Sequence, residues 1–280
     1  MGSMKFKFDE NRVRTIRQRW SKVIDSMYGP ATKIMLESAG LAAGMRVLDV
    51  AAGAGDQTIH AADRVGPNGY VLATDIMEEA LLFAASDASK RGIRNVGFHA
   101  MPCEALAATD ASFDAAICRN GLQYLSDQPK GFAEIYRVLK PNGKLAAIVW
   151  SAPRRNPFLA RSFDLAFEKL GTRPPSPDEP GPFRLGYDGA LRSALEASGF
   201  AQVRVDAVKA PVSFSSASEA LQFQQQALGL LTQLLEGLSE SDRAHVWRQI
   251  EQALRAFERD GSFAADGELL VGSGVKLRAT

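Results

Sequence analysis

Cysteine is nearly absent from this 280-residue chain. The two present, Cys103 and Cys118, cannot build a disulfide framework or a cysteine-rich zinc site. The three histidines, His60, His99 and His245, share no ligand-like spacing, so nothing in the sequence asks for a metal. A surplus of either charge is missing too. Thirty-three basic against 32 acidic residues leave a formal charge of +1, which argues against neutralising a nucleic-acid backbone as the main task. No apolar run approaches the ~18 residues needed to span a bilayer, and the N-terminus lacks a signal-peptide core. Met1-Gly2-Ser3 ahead of a second methionine, Met4, reads as an expression remnant. The expectation is a cytoplasmic protein with no nucleic-acid and no membrane partner, a monomer or homodimer. Its length suits about two domains, or one α/β domain with insertions.

What is present falls into segments. Residues 1–40 read as an N-terminal helical cap. Val13, Ile16, Trp20, Val23, Ile24 and Met27 recur at helical spacing, and Gly29-Pro30 is expected to separate this helix from a second one through Ile34 and Leu36. The cap carries Lys5, Lys7, Arg12, Arg14, Arg17, Arg19 and Lys22. Interrupting acids, and Trp20 as the cap's only tryptophan, favour a solvated helix face over a patch for nucleic acid or an anionic ligand. Residues 41–150 alternate strands (Arg46–Ala51, Tyr70–Thr74, Val96–Ala100, Phe113–Cys118, Lys144–Trp150) with helices (Asp56–Arg64, Glu78–Arg91, Lys130–Leu139). That alternation predicts a parallel sheet covered on both faces.

The pattern then changes. Residues 151–187 form an insertion with one helix, Pro157–Leu170, and a proline-rich loop from Arg173 to Pro182, either a surface connection or a pocket wall. Residues 188–215 return to the core with a helix, Asp188–Ser198, and a strand, Phe200–Phe214. Residues 216–264 read as a helical lid with helices Leu221–Leu238 and Ser241–Arg259, and 265–280 supply a last strand, Glu268–Leu277.

The chemistry sits at Val47-Leu48-Asp49-Val50-Ala51-Ala52-Gly53-Ala54-Gly55-Asp56, with Asp75 at the end of the next strand. Glycines after a first strand let backbone approach a ligand closely, and a following helix presents unpaired N–H groups. An acid about twenty residues on can accept hydrogen bonds from both ribose hydroxyls. Together these describe a cofactor containing a nucleoside. A dinucleotide fingerprint wants glycine or alanine where Thr58 stands. Asp56 at the helix start also repels a pyrophosphate, and a zwitterionic amino-acid tail tolerates it better. The loop therefore fits S-adenosylmethionine (SAM) more easily than NAD.

At this point the sequence resembles the class I SAM-dependent methyltransferases, in the branch similar to ubiquinone/menaquinone C-methyltransferases and to small-molecule methyltransferases of secondary metabolism. The resemblance rests on V-L-D-V-A-A-G-A-G-D-Q-T, A-T-D-I-M, S-F-D-A-A-I-C-R-N-G-L-Q-Y and R-V-L-K-P-N-G-K-L, in the family's order. It covers residues 40–150 well and 185–280 more loosely. It implies a Rossmann-like α/β fold: seven strands, mostly parallel, the last antiparallel, with helices on both faces. It implies that Asp49, Ala51, Gly53 and Gly55 line the methionine moiety, that Gln57 and Thr58 hold its carboxylate, and that Asp75 takes the ribose, with Ile76 and Met77 against adenine. Arg119 and Asn120 would meet the amino-acid end or the reacting centre. Pro102 stands where the family often has an acid that reads adenine, so the Cys103 backbone N–H and Glu104 become the candidates there.

The implied reaction moves a methyl group from SAM to oxygen, carbon or nitrogen of a small molecule and leaves S-adenosylhomocysteine (SAH). Leucines of the 216–264 segment, facing a cleft, would favour a hydrophobic natural-product-like acceptor. His245 is the candidate general base, weighed against a histidine that merely sits on an amphipathic helix. Trp20, Tyr28, Gln123, Tyr124, Phe158 and Phe163 are candidates to touch the acceptor. Three other readings stay open: an NAD-dependent oxidoreductase, a SAM-dependent cyclase or decarboxylase, and a non-catalytic SAM-binding protein.

Overall fold

The structure, a computed structural model, describes residues 7–278; Lys5 and Met1–Ser3 lie outside the described residues. The chain opens with helices α1 (Glu10–Arg19) and α2 (Ser21–Ser38). Asp9 caps α1 by accepting from the Arg12 N–H. The two helices part at Trp20, not at Gly29-Pro30 as the sequence predicts. Trp20 leaves helical geometry as its ring packs edge-on against Phe214 and Phe223. Gly29 and Pro30 stay inside α2, because glycine has no Cβ to clash with the proline that follows. The buried stripe Met27, Ala31, Met35 and Leu36 then holds the helix on the sheet.

Next come β1 (Arg46–Val50), α3 (Asp56–Val65), β2 (Tyr70–Asp75), α4 (Glu78–Lys90), β3 (Val96–Ala100), β4 (Phe113–Arg119), α5 (Gln128–Val138) and β5 (Leu139–Trp150). The insertion holds α6 (Pro157–Lys169), and the core resumes with α7 (Ala190–Ala197) and β6 (Ala201–Lys209). The chain ends with β7 (Val212–Phe214), α8 (Ala217–Ala227), α9 (Gly229–Leu235), α10 (Glu240–Leu254), β8 (Glu258–Arg259), β9 (Ser262–Ala265) and β10 (Glu268–Val275).

Seven strands form one sheet in the order β3-β2-β1-β4-β5-β10-β6. β10 runs antiparallel to both its neighbours, and the other pairs in the sheet are parallel. The Rossmann-like fold with an antiparallel last strand is as the sequence implies. Alternate strand residues serve opposite faces. Val47, Ile117 and Ile148 join the core beneath α2 and α3, whereas Leu48, Ala116 and Ala147 join the core beneath α5 and α7. The strand order reverses between β1 and β4, and a crevice opens there at the carboxyl ends of the strands.

Three predicted elements differ in the second half. Phe200–Phe214 is not one strand. Pro211 has no N–H for the ladder, so β6 stops at Lys209 and β7 pairs with β9 in a separate small sheet, β7-β9-β8. Leu221–Leu238 is two helices, broken at Leu228. Ser241–Arg259 ends as a helix at Leu254, since Glu258-Arg259 enters a hairpin through Asp260-Gly261, both at positive φ. Ser239 caps α10, accepting from the Asp242 N–H.

The helices expected to lid the site turn inward elsewhere. Phe223, Leu231, Leu235, Val246, Ile250 and Leu254 are fully buried with residues of α6 and the small sheet. Trp20, Phe158, Phe214, Phe223 and Phe263 form one aromatic cluster with ring centroids 5.3–6.3 Å apart. No helix among the described residues is long and apolar enough to cross a membrane.

Candidate active site

The turn after β1 builds the site. Gly53 and Gly55 take left-handed backbone (φ 54° and 84°). A Cβ on Gly55 would sit 2.9 Å from the Ala84 Cβ, so glycine there lets the loop press against α4. A Cβ on Gly53 would meet nothing within 4 Å, because that glycine faces open space. The space is a cavity of about 320 Å³ lined by this loop, the Thr74–Met77 corner, the Met101–Glu104 turn and the Asn120–Ser126 loop.

Asp75 ties the loop to the corner. One carboxylate oxygen accepts from the Gly53 N–H (2.8 Å) and the other from the Met77 N–H (2.9 Å). Burial pushes its pKa up, against the pull of these amides. Each carboxylate oxygen has a further lone pair, which can meet a ribose hydroxyl. Ile76 is a large apolar side chain left 62% exposed on the cavity rim, as a wall for a flat heterocycle would be. Met77 lines the same wall.

Ala51 also takes a left-handed φ of 54°, a conformation that costs an L-residue about 1–2 kcal/mol relative to glycine. Ala51→Gly is therefore expected to raise stability by about 0.5–1 kcal/mol, read as a higher urea midpoint at unchanged slope.

Asp49, Gln57 and Thr58 depart from the sequence reading. Asp49 is fully buried beneath the loop and does not line this cavity. Its carboxylate accepts from Thr58 Oγ1 (2.6 Å) and Gln57 Nε2 (3.2 Å). Both side chains, themselves buried, thus face inward and anchor the start of α3 to β1. Burial pushes the Asp49 pKa up to about 7, with the Thr58 and Gln57 hydrogen bonds opposing.

Beside the Thr74–Met77 corner, Pro102 and Cys103 begin a short turn on the cavity wall. Glu104 is already engaged: its Oε1 accepts from the Ser126 N–H and Oγ, both at 3.0 Å, and so closes the loop before α5. Burial raises the thiol pKa of Cys103, and that of Cys118 to about 12, so neither is a thiolate.

At the other end, Asn120 lines the cavity and donates from Nδ2 to the Tyr28 hydroxyl (2.9 Å). Gln123 is buried behind it, its Nε2 donating to Asn120 Oδ1 (3.3 Å). Tyr124 lines the cavity. Arg119 points away, stacked 5.2 Å over the Tyr28 ring and 3.6 Å from Asp56. The sequence reading also passed over Arg17, which donates to the Ala54 carbonyl (3.0 Å) and to Asp56 (2.8 Å), binding α1 to the glycine loop. Its signal was only a helical arginine among many.

These three residues, Tyr28, Arg119 and Arg17, border a second cavity, a groove of about 420 Å³ between α2 and α3. His60 lines it from the exposed face of α3, while His99 lies exposed on the edge strand β3. The proline-rich loop lines neither of these cavities, but Gly181 N–H donates to the Gln123 carbonyl and Arg184 to the Leu125 carbonyl, fixing the wall from behind.

Four candidates are corrected outright. Trp20, Phe158 and Phe163 belong to the buried core, Trp20 donating its indole N–H to Gln226. His245 is exposed on α10, one position before the buried stripe Val246, Ile250 and Leu254. His245→Ala is expected to leave stability within about 0.5 kcal/mol and to leave any turnover unchanged, measured by urea unfolding and initial rates.

Comparison with known proteins agrees with this geometry. A family profile described as "Methyltransferase domain" matches residues 41–165. The ubiquinone/menaquinone biosynthesis C-methyltransferase UbiE of Marinomonas is 37% identical over 119 residues, which are 42% of this chain and 47% of that protein. The chain spans about half the length of the curated relatives it matches. Among solved structures, the YcgJ protein of Bacillus subtilis superposes with a TM-score of 0.61 at 21% identity, covering 90% of this chain and all of that one. The [4+2]-cyclase SpnF superposes with a TM-score of 0.56 at 22% identity, covering 89% and 82%. These two share the fold. With the glycine turn and Asp75 joined around one cavity, residues 41–165 of the chain are similar to the family described as methyltransferase domains.

Proposed function

We propose that this chain is an enzyme that binds SAM across the carboxyl ends of β1, β2 and β4 and methylates a small organic acceptor, releasing SAH. The observation that carries the reading is the Asp75 carboxylate, which organises the glycine turn and the Met77 corner while bordering the cavity. SAM supplies an electrophilic methyl on a cationic sulfonium, so its leaving group is built in. The chain's own task is to hold, orient and keep out water, and positioning alone can contribute ~7–11 kcal/mol.

In this reading Asp75 holds the ribose. Ile76 and Met77 flank the adenine, and the Cys103 N–H, at the first position of its turn, reads the adenine edge in place of a side-chain acid. Ala51 and Gly53 present backbone to the amino-acid end. Asn120 and Tyr28 form the wall towards the reacting centre. Tyr28 is a poor base, since burial pushes its pKa up to about 12. The acceptor therefore brings a nucleophile that needs little activation, such as a phenolate or an enolate. The relatives' quinone C-methylation is one such chemistry, and a natural-product acceptor of secondary metabolism is another.

A thermal-shift titration tests the reading. At a hundredfold excess over Kd, SAM or SAH is expected to stabilise the protein by about 2.7 kcal/mol, and NAD not at all. No shift with either sulfur compound sinks it. NAD is disfavoured because Thr58 is committed to Asp49. A second reading keeps SAM but uses it without methyl transfer. It is favoured because the two carboxylates of the cavity lining, Asp75 and Glu104, are both engaged by the chain itself, and by the fold shared with a cyclase. Isotopic transfer of a labelled SAM methyl to any acceptor decides against it.

A further inference from the structure

The groove between α2 and α3 has a chemistry of its own. Its floor is apolar, with Ile24, Leu36 and Ile59. Its rim is cationic: Arg17, Lys33, Arg64, Arg91 and Arg119 line it against Asp25 and Asp56. Two further carboxylates pair from outside, Asp87 with Arg17 and Arg91, and Glu37 with Arg64 at 3.9 Å. Cations still outnumber carboxylates, and Lys33 has no ion-pair partner among the described residues.

Two polar atoms in the groove's lining are buried without a partner. Thr32 is 6% exposed, and its Oγ1 makes no hydrogen bond. Arg17 uses its terminal nitrogens on Ala54, Asp56 and Asp87, but its Nε is buried and unpaired. An unmade hydrogen bond at a buried group is unfavourable, so such atoms in a cavity wall mark a place where a ligand completes the set. Gly29, facing the same groove, would meet nothing within 4 Å if it carried a Cβ. One hydrogen bond separates the lining of the groove from that of the cofactor cavity. The Tyr28 ring lines the one, while its hydroxyl is held by Asn120, which lines the other.

We propose that this groove binds the methyl acceptor and that the acceptor is a small carboxylic acid with an aromatic or aliphatic body. The acid would lie among Arg17, Thr32 and Lys33 and the body on the apolar floor. The inference rests on the methyltransferase reading above and adds a substrate class to it.

The test uses the full chain saturated with SAH and compares 4-hydroxycinnamate with its methyl ester by titration calorimetry. The acid is expected to bind about tenfold more tightly than the ester, the scale of one charge-assisted hydrogen bond. Lys33→Ala is expected to bring the two within about threefold. Thr32→Val, which removes only the unpaired hydroxyl, is expected to weaken the acid several-fold while melting at a higher temperature than the parent. Both variants are expected to keep their SAH affinity. Equal binding of acid and ester overturns the proposal, as does an unchanged ratio in Lys33→Ala. Competition between the acid and SAH also overturns it, because the cations would then serve the cofactor's own carboxylate. If SAH itself does not bind, the methyltransferase reading fails and the acceptor assignment with it; the acid–ester ratio on the cofactor-free protein then decides whether the groove is an acid site at all.

Discussion

Asp49→Asn is expected to make the protein about 2–4 kcal/mol more stable at pH 8 and to flatten its stability between pH 4 and pH 7. Burial holds the folded-state pKa of Asp49 near 7, against 3.8 for the free side chain. Between these values the folded protein keeps a proton that the unfolded chain has released. Stability is therefore highest below pH 4 as far as this group is concerned. It falls as pH rises, by about 1.4 kcal/mol per unit, until the carboxyl ionises in place near pH 7. Asparagine keeps an acceptor for the Thr58 hydroxyl and carries no charge to desolvate. Gln57, whose Nε2 also lies 3.4 Å from the Ala52 carbonyl, can turn its amide to meet the new NH₂ group. Urea unfolding of both proteins at pH 5 and pH 8 checks this. The two should differ by roughly 1.5 kcal/mol at pH 5 and by clearly more at pH 8. A wild-type curve that rises from pH 5 to pH 8, with the variant parallel to it, would show the carboxyl to be ionised throughout.

Asp75→Ala is expected to weaken SAH binding by about a hundredfold or more and to cost about 1–2 kcal/mol of stability. Two kinds of contact vanish together. The ribose loses a charged acceptor, worth ~1.5–3 kcal/mol. The Gly53 and Met77 amides lose the carboxylate that fixes the turn and the start of α4. Asp75→Asn retains one acceptor oxygen and is expected to fall between, about tenfold weaker than the parent. Titration calorimetry with SAH and urea unfolding of the same samples separate the two contributions. Unimpaired affinity in Asp75→Ala would remove this residue from the site.

The part of the molecule legible in the sequence is the part governed by neighbouring residues. β1, the glycine turn, α3 and Asp75 are read from one contiguous run plus one short step, and the structure places Gly53, Asp75, Ile76 and Met77 around one cavity. Gln57 and Thr58 sit in that same run, yet their direction is set by how α3 docks on β1. A string of letters cannot distinguish a hydroxyl facing a cofactor from one facing Asp49. Trp20 and Phe158 failed for a different reason. Their partners Phe214, Phe223 and Phe263 come from remote segments, so only the fold decides whether an aromatic faces a cleft or another ring.

Two misses were avoidable. Val246, Ile250 and Leu254 repeat every four residues, a phase that already places His245, the residue before Val246, about 100° away from that stripe. Asp260-Gly261 is a strong hairpin signal between short extended runs, and it marks β8 and β9.

The position of β10 has a consequence for how the molecule assembles. This strand is wedged between β5 and β6, and Lys276 just beyond it donates to the Tyr136, Arg137 and Leu139 carbonyls where α5 ends. A nascent chain that has emerged only as far as residue 267 has therefore made every cofactor-binding segment, yet leaves β5 and β6 as two bare edges with a strand-wide gap between them. The segments around the glycine turn are thus made before the strand that completes the sheet. A ribosome stalled before residue 268 would hold the cavity's walls on a sheet whose β5 edge is still open.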